Sequence, residues 1–273
     1  MANHIGDLPH ALNDSEKLEQ RLMGKQPAVF LDYDGTLTPI VDRPEDATIS
    51  DSMREAVRGL AERCTVCVVS GRDRQVVQEL MGLDNLVVAG SHGFDIWSPE
   101  EGTIEHDAGS GFEDLLDEVK ARVGEEVEDI EGASVEPKKA SVAVHYRLVS
   151  EEERRGIKES VDSILADHPD DLKMTPGKMV YEIQPKLDWD KGKAVLYLLE
   201  TLELDRDDVE PMYLGDDVTD EDAFEALAET SPEGIGIFVG RDDDPEVAGR
   251  TTAADYVLRT MEEVERFLDT LAR

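Results

Sequence analysis

The stretch AVFLDYDGTLT, residues 28–38, constrains this chain more than any other. Ala28, Val29, Phe30 and Leu31 form an apolar run bulky enough for a buried parallel strand, and it breaks at once into Asp32-Tyr33-Asp34-Gly35-Thr36. Two carboxylates therefore stand where a strand ends. Ligands of open α/β sheets bind beyond the carboxyl ends of the strands, so Asp32 and Asp34 are site candidates by position. Gly35 permits a sharp turn after the second carboxylate and leaves backbone amides able to face an anion. An acidic turn capping a helix reads the same in isolation, so the rest of the chain must separate the two.

Downstream, strand and helix patterns alternate. Ser52-Met53-Arg54-Glu55 reads as a capping box opening a helix on Met53, Ala56, Val57, Leu60 and Ala61. A strand over 65–69 ends in Ser70-Gly71-Arg72, and the next helix closes at Gly82. A strand over 86–89 ends in Gly90-Ser91-His92-Gly93, followed by a hairpin of 94–97 with 103–106. This order predicts a parallel sheet with right-handed crossovers.

From about residue 111 the rhythm becomes helix, two strands, helix, two strands. The strands are expected at 133–136, 140–148, 172–175 and 179–184, with Pro176-Gly177 as the last turn. Alternation puts His145 and Arg147 on one open face, and Lys178, Val180, Glu182 and Gln184 on another. After Pro185 the first rhythm resumes: helices over 191–201 and 220–228, strands over 211–214, 235–239 and 255–258, and a last amphipathic helix. The fold class is therefore α/β, a Rossmann-like parallel-sheet core from 1–108 and 186–273 with an α+β cap domain inserted over 109–185. The polar first 25 residues are expected as a short lead-in helix or a frayed tail.

Charge narrows the partners. Lys and Arg total 28 against 64 Asp and Glu, a formal charge of −36, which repels nucleic-acid backbones and anionic membranes. It also suits a salt-rich cytoplasm, where counter-ions screen the self-repulsion. Six lysines (Lys138, Lys139, Lys178, Lys186, Lys191 and Lys193) share one stretch, a local patch that an anionic substrate needs. Cys64 and Cys67 have no second pair for a zinc site and sit in an apolar strand, so they read as core thiols. With no apolar run of membrane length, the expectation is a cytoplasmic, monomeric protein whose partner is a small molecule.

Ser70, Lys191 and the run Gly215-Asp216-Asp217-Val218-Thr219-Asp220 fall at the same sheet edge as Asp32. Phosphoryl transfer calls for such a set, because attacking oxygen and phosphate are both anionic and catalysis is mostly positioning and charge stabilisation. Asp32 and Asp216 suit a hard cation such as Mg²⁺. Lys191 suits phosphate oxygens, while Ser70 and the Gly71 amide can donate hydrogen bonds. A carboxylate nucleophile would divide the displacement into two steps through an aspartyl-phosphate. A receiver-type signalling module, which holds a phosphoryl group on an aspartate, shares part of the set.

DYDGTL, SGR, the lysine of DKGKA and GDDVTDED resemble the four motifs of the haloacid-dehalogenase-type phosphatases. Within them, GSHG, SVAVHYR, residues 177–185 and YLGDDVTDEDAF resemble the trehalose-6-phosphate phosphatases. The resemblance implies Asp32 as nucleophile and Asp34 as the acid, then base. It implies Mg²⁺ on Asp32, the Asp34 carbonyl and Asp216, with Asp217 or Asp220 behind them. Ser70 and Lys191 would hold the phosphate, with Gly71, Arg72 and His92 also at the substrate. Arg147, Lys178 and Glu182 match positions that bind the distal sugar from the cap. Ser91 and Gln184 depart from the family, which often has Glu and Arg there. Phosphatases for sucrose phosphate, glucosylglycerol phosphate or mannosyl-phosphoglycerate, and a sugar phosphomutase, share this core and cap style.

Overall fold

The computed structural model describes all residues except 1–2, 42, 44–45, 105–110, 178, 232, 242–243 and 246, and the side chain of Pro176. The chain divides into two compact units, Met1–Ile104 with Trp189–Arg273, and Glu105–Asp188.

In the first unit, β1 (Asn3–His4) and α1 (Glu16–Leu22) lead into β2 (Gln26–Leu31), α2 (Asp51–Ala61), β3 (Thr65–Val69), α3 (Arg74–Met81) and β4 (Val87–Gly90). The hairpin β5 (Asp95–Ser98) and β6 (Gly102–Ile104) precedes the second unit. That unit holds α4 (Glu113–Val127), β7 (Ser134–Pro137), β8 (Val142–His145), α5 (Arg154–Asp167), β9 (Leu172–Gly177) and β10 (Val180–Pro185). The first unit resumes with α6 (Lys191–Thr201), β11 (Val209–Gly215), α7 (Val218–Ala228), β12 (Ile235–Val239), β13 (Thr251–Thr252), β14 (Tyr256–Leu258) and α8 (Met261–Leu271).

Among the described residues the main sheet runs β14-β12-β11-β2-β3-β4-β5-β6. Its first six strands are parallel, and the β5–β6 hairpin adds an antiparallel edge. The chain starts in the middle at β2, builds β3 and β4 to one side, and later builds β11, β12 and β14 to the other. Side chains alternate between two apolar layers. Val29, Leu31, Val66 and Val68 join Met53, Val57, Leu60, Phe267 and Leu268 on one face. Ala28, Phe30, Val69 and Tyr213 join Val195, Leu198, Phe224 and Leu227 on the other. Helices cover both faces, as a parallel sheet requires.

The second unit is an antiparallel sheet of order β7-β8-β10-β9. Val142, Val144 and Ile183 pack with Leu116, Val119 and Val123 of α4 and Ile157, Val161 and Ile164 of α5. The alternate residues Ala143, His145, Glu182 and Gln184 belong to the opposite face.

Three local expectations are corrected and a fourth is narrowed. The cap of α2 is Ser50, whose extended backbone lets Oγ accept from the Met53 amide; the Ser52 hydroxyl goes instead to Glu265. The strand expected over 140–148 pairs only from Val142 to His145. The Tyr146 amide bonds the Met179 carbonyl, where the partner strand turns back, so Arg147 and Leu148 lie in a turn and Leu148 is exposed. The turn expected at Pro176-Gly177 is not there: both residues still pair, with Tyr181 and Val180, and Met179 takes a positive φ of +65°. Pro176 is tolerated because β9 is an edge strand. Of the two forms expected for the first 25 residues, the described part from Asn3 on takes the lead-in helix, α1, and is no frayed tail, since β1 pairs with β13 and Ile5, Leu8, Ala11 and Leu18 are buried.

That N-terminal segment also neutralises a buried charge. Glu210 of β11 is fully buried and accepts from Arg21 (2.5 Å) and Lys25 (2.6 Å). Replacing both cations by alanine strands the carboxylate; a loss of about 3 kcal/mol is expected in denaturant unfolding. The two thiols are free and buried in opposite layers, Cys64 with α2 and Cys67 with the other face. Burial pushes the Cys64 thiol up to about 12 and that of Cys67 further. Neither is expected to react with iodoacetamide at pH 8 in the folded protein, and both should label in denaturant.

Candidate active site

The adjacent strands β2 and β11 are where the sheet's building direction reverses, the position at which open α/β sheets form a crevice. Asp32 follows β2 and Asp216 follows β11. The Asp32 amide still bonds the Leu214 carbonyl (2.9 Å), after which the chain turns, with the Leu37 and Thr38 amides on the Tyr33 carbonyl. Gly35 sits in this turn at φ +90°, and a Cβ there would lie 2.2 Å from Asp216 Oδ2. Glycine thus lets the turn form and lets the second carboxylate approach it.

Lys191 opens α6. The Asp190 side chain caps the helix by accepting from the Lys193 amide (2.8 Å), and α6 packs so closely on α7 that a Cβ on Gly192 would meet the Asp222 carbonyl at 2.2 Å. The buried ammonium of Lys191 then stands 2.7 Å from Asp32 Oδ1 and 2.6 Å from Asp220 Oδ1. Burial alone would depress its pKa, but the charges of Asp220 and Asp32 outweigh that and hold it well above the usual value. Burial pushes the Asp32 carboxyl well up, with Asp220 and Asp216 adding to the rise and Lys191 only partly offsetting it. Asp220 goes the other way. Burial opposes its charge, yet Lys191, the Tyr213 hydroxyl and the Asp217 amide hold its pKa below the usual carboxylate range.

Asp32, Asp216 and Asp220 bring carboxylate oxygens within 4.8 Å of one another. All are oxygen donors, and three acids with one ammonium leave an excess of buried negative charge, so the cluster fits a hard cation. Asp220 is the least available of the three: Oδ1 accepts from Lys191 and Tyr213, and Oδ2 from the Asp216 and Asp217 amides. Asp32 and Asp216 are left as the side chains able to hold the ion. Asp217 caps α7, with Asp220 completing the capping box.

On the other side of β2, Ser70 follows β3. Its Oγ accepts from the Arg72 amide (3.2 Å), and its hydroxyl hydrogen has no partner among the described residues. The loop after β4 is tied to it: the Ser91 amide bonds the Arg72 carbonyl, the His92 amide bonds the Ser70 carbonyl, and Ser91 Oγ bonds Asp73. Ser91 and His92 are held at φ +49° and +57°, and the His92 ring lies against Gly71. Two successive residues in this sparsely populated region mark a strained loop at the site. Arg72, expected at the substrate, clamps Asp34 through two bonds of 2.6 Å and lies over the Tyr33 ring.

The first unit thus brings together Asp32, Asp34, Ser70, Gly71, Arg72, His92, Lys191, Asp216, Asp217 and Asp220. In the second unit, Glu182 is buried and its Oε1 accepts from Ser141 (2.5 Å) and Lys138 (3.2 Å). Arg147 lies in the turn after β8, and Lys178 lies outside the described residues. Sequence reasoning placed Lys138 in the lysine patch and quoted Ser141 and Tyr213 inside longer motifs, but it missed the pairing of Lys138 and Ser141 with Glu182 and of Tyr213 with Asp220. The signal for Tyr213 was a tyrosine inside a fully buried strand, whose hydroxyl must find a partner.

Residues 30–259 match the sequence model of the family described as Trehalose-phosphatase. The chain is 43% identical over 277 residues to trehalose 6-phosphate phosphatase RA3 of Zea mays, covering 97% of this chain and 74% of that protein. Its fold is similar to the C-terminal domain of a C. albicans trehalose-6-phosphate phosphatase, with a TM-score of 0.77, 24% identity and coverage of 97% and 98% of the two chains. It is also similar to a haloacid dehalogenase-like hydrolase from Bacteroides thetaiotaomicron, with a TM-score of 0.63, 16% identity and coverage of 90% and 100%. With the model matching most of its length, the chain belongs to the trehalose-phosphatase family.

Proposed function

We propose that this chain hydrolyses trehalose 6-phosphate to trehalose and phosphate through a phosphorylated Asp32. The observation that carries the reading is the buried Lys191 held between Asp32 and Asp220 at the sheet's switch point, in a chain of this family. Asp32 attacks phosphorus, and the bond from phosphorus to the sugar oxygen breaks. Asp34 gives that oxygen a proton, then takes one from the water that attacks the acyl phosphate and frees Asp32. Ser70, the Gly71 amide and Lys191 hold the phosphate oxygens, and Arg72 keeps the Asp34 carboxylate in one orientation.

Mg²⁺ is the hard cation proposed for Asp32, Asp216 and the Asp34 carbonyl, where it would offset the phosphate charge. We assign selection of the distal sugar to Glu182, Arg147 and Lys178, with 109–185 as the specificity domain. Ser141 and Lys138 fix Glu182 as an oriented acceptor for sugar hydroxyls. The charge of −36 supports work in a salt-rich cytoplasm.

Phosphate release from a panel of sugar phosphates, with Mg²⁺ and across a range of salt, tests the substrate: strong preference for trehalose 6-phosphate is expected, and equal rates across the panel would overturn it. Asp32→Asn should lower turnover more than about 10³-fold on every substrate. Chelation by EDTA should stop the reaction and added Mg²⁺ restore it. Glu182→Ala should cut kcat/KM about 10- to 100-fold for trehalose 6-phosphate and leave p-nitrophenyl phosphate nearly unchanged. Equal losses on both would remove the sugar-selecting role.

A further inference from the structure

Asp220 carries two bonds on each carboxylate oxygen, which fills its lone pairs. Three of the four donors are Lys191 and the two amides of the Asp216-Asp217 turn, which already have a place in the site; the fourth, the hydroxyl of Tyr213, stands in the run YLGDDVTDEDAF with no role assigned to it. Tyr213 is fully buried in β11, and its ring stands edge-on to Phe224 of α7 at 5.7 Å. Its hydroxyl donates to Asp220 Oδ1 at 2.7 Å, the same oxygen that Lys191 reaches at 2.6 Å. The Lys191 ammonium is therefore divided between Asp220 and Asp32, 2.7 Å away on its other side of the pair.

We propose that Tyr213 is a positioning residue for phosphoryl transfer: by satisfying Asp220 Oδ1, its hydroxyl keeps Lys191 shared with Asp32 and with the incoming phosphate. Without the hydroxyl, Oδ1 is left with Lys191 as its only donor. A buried carboxylate missing a bond pulls harder on the donor that remains. The ammonium then follows Asp220, and the nucleophile loses the contact that orients it. The backbone bonds to Asp220 Oδ2 do not involve Tyr213, so the Asp216-Asp217 turn is kept. This inference rests on Asp32 as the nucleophile.

Tyr213→Phe removes one oxygen and preserves the ring. A fall in kcat/KM of about 10- to 100-fold is expected, equal for trehalose 6-phosphate and p-nitrophenyl phosphate because Lys191 serves attack on phosphorus and not departure of the sugar. The melting midpoint should stay close to that of the parent. Phe224→Leu loosens the same packing and keeps the hydroxyl; it should lower the midpoint while changing kcat/KM less than about two-fold. Parent-like kcat/KM in Tyr213→Phe, or an equal loss in Phe224→Leu, overturns the proposal.

Should Tyr213→Phe fail to fold, tyrosine ¹³Cζ NMR of the unaltered protein decides. Beryllofluoride added with Mg²⁺ mimics a phosphoryl group on a carboxylate, and its binding should shift the Tyr213 signal. Fluoride bound by ¹⁹F NMR with no such shift overturns the role of Tyr213 alone. No bound fluoride at all contradicts Asp32 as nucleophile and takes this inference with it.

Discussion

The ammonium of Lys191, buried between Asp32 and Asp220, is the interaction on which the rest of this structure depends. An isolated charge in such a place is heavily penalised, and so is each carboxylate. They persist because each supplies what the others lack, and because Asp220 is tied down by two backbone amides and a tyrosine hydroxyl. The result is an uneven cluster. Asp220 keeps its charge as a fixed anchor, whereas Asp32, with its pKa driven up by burial, is left short of positive charge. A site with that deficit is ready for a cation and for a group that exchanges charge with Asp32, and phosphoryl transfer uses both.

The sheet supplies the geometry. Because the chain builds outward from β2 in both directions, the connections after β2 and β11 leave toward opposite sides while the two strands stay paired to their ends. Close approaches then hold the connecting segments together: Gly35 admits Asp216, Gly192 admits the backbone of α7, and the loop after β4 is laced onto the loop after β3. Rigid elements thus place five segments distant in sequence within hydrogen-bonding range: the loops after β2, β3, β4 and β11 and the start of α6. The second unit has a core of its own.

Asp32, Ser70, Lys191 and Asp216 were legible in the sequence because each adjoins an apolar run, and position beside a strand or helix end is a one-dimensional mark. The parallel sheet was legible for the same reason: alternation of runs sets topology. What failed was local. Ser50 and Ser52 are equally good caps by composition, and only the backbone angle at Ser50 decides. Tyr146 and Leu148 continue the alternation of β8, but the pairing with the partner strand ends at His145 opposite Val180, and the ladder stops there. A tyrosine in a buried strand signals that Tyr213 has a hydrogen-bond partner, but nothing in the sequence says that the partner is Asp220, seven positions on. The Arg72–Asp34 clamp joins residues whose motifs were visible and whose pairing was not.

The central claim is that Asp32 itself carries the phosphoryl group during turnover. Acid-quenching the enzyme during steady-state turnover, reducing it with borohydride and locating the product by peptide mass spectrometry tests this directly. Conversion of the residue at position 32 to homoserine, dependent on trehalose 6-phosphate, is the predicted result. Reduction at another carboxylate, or the same yield without substrate, would contradict the account.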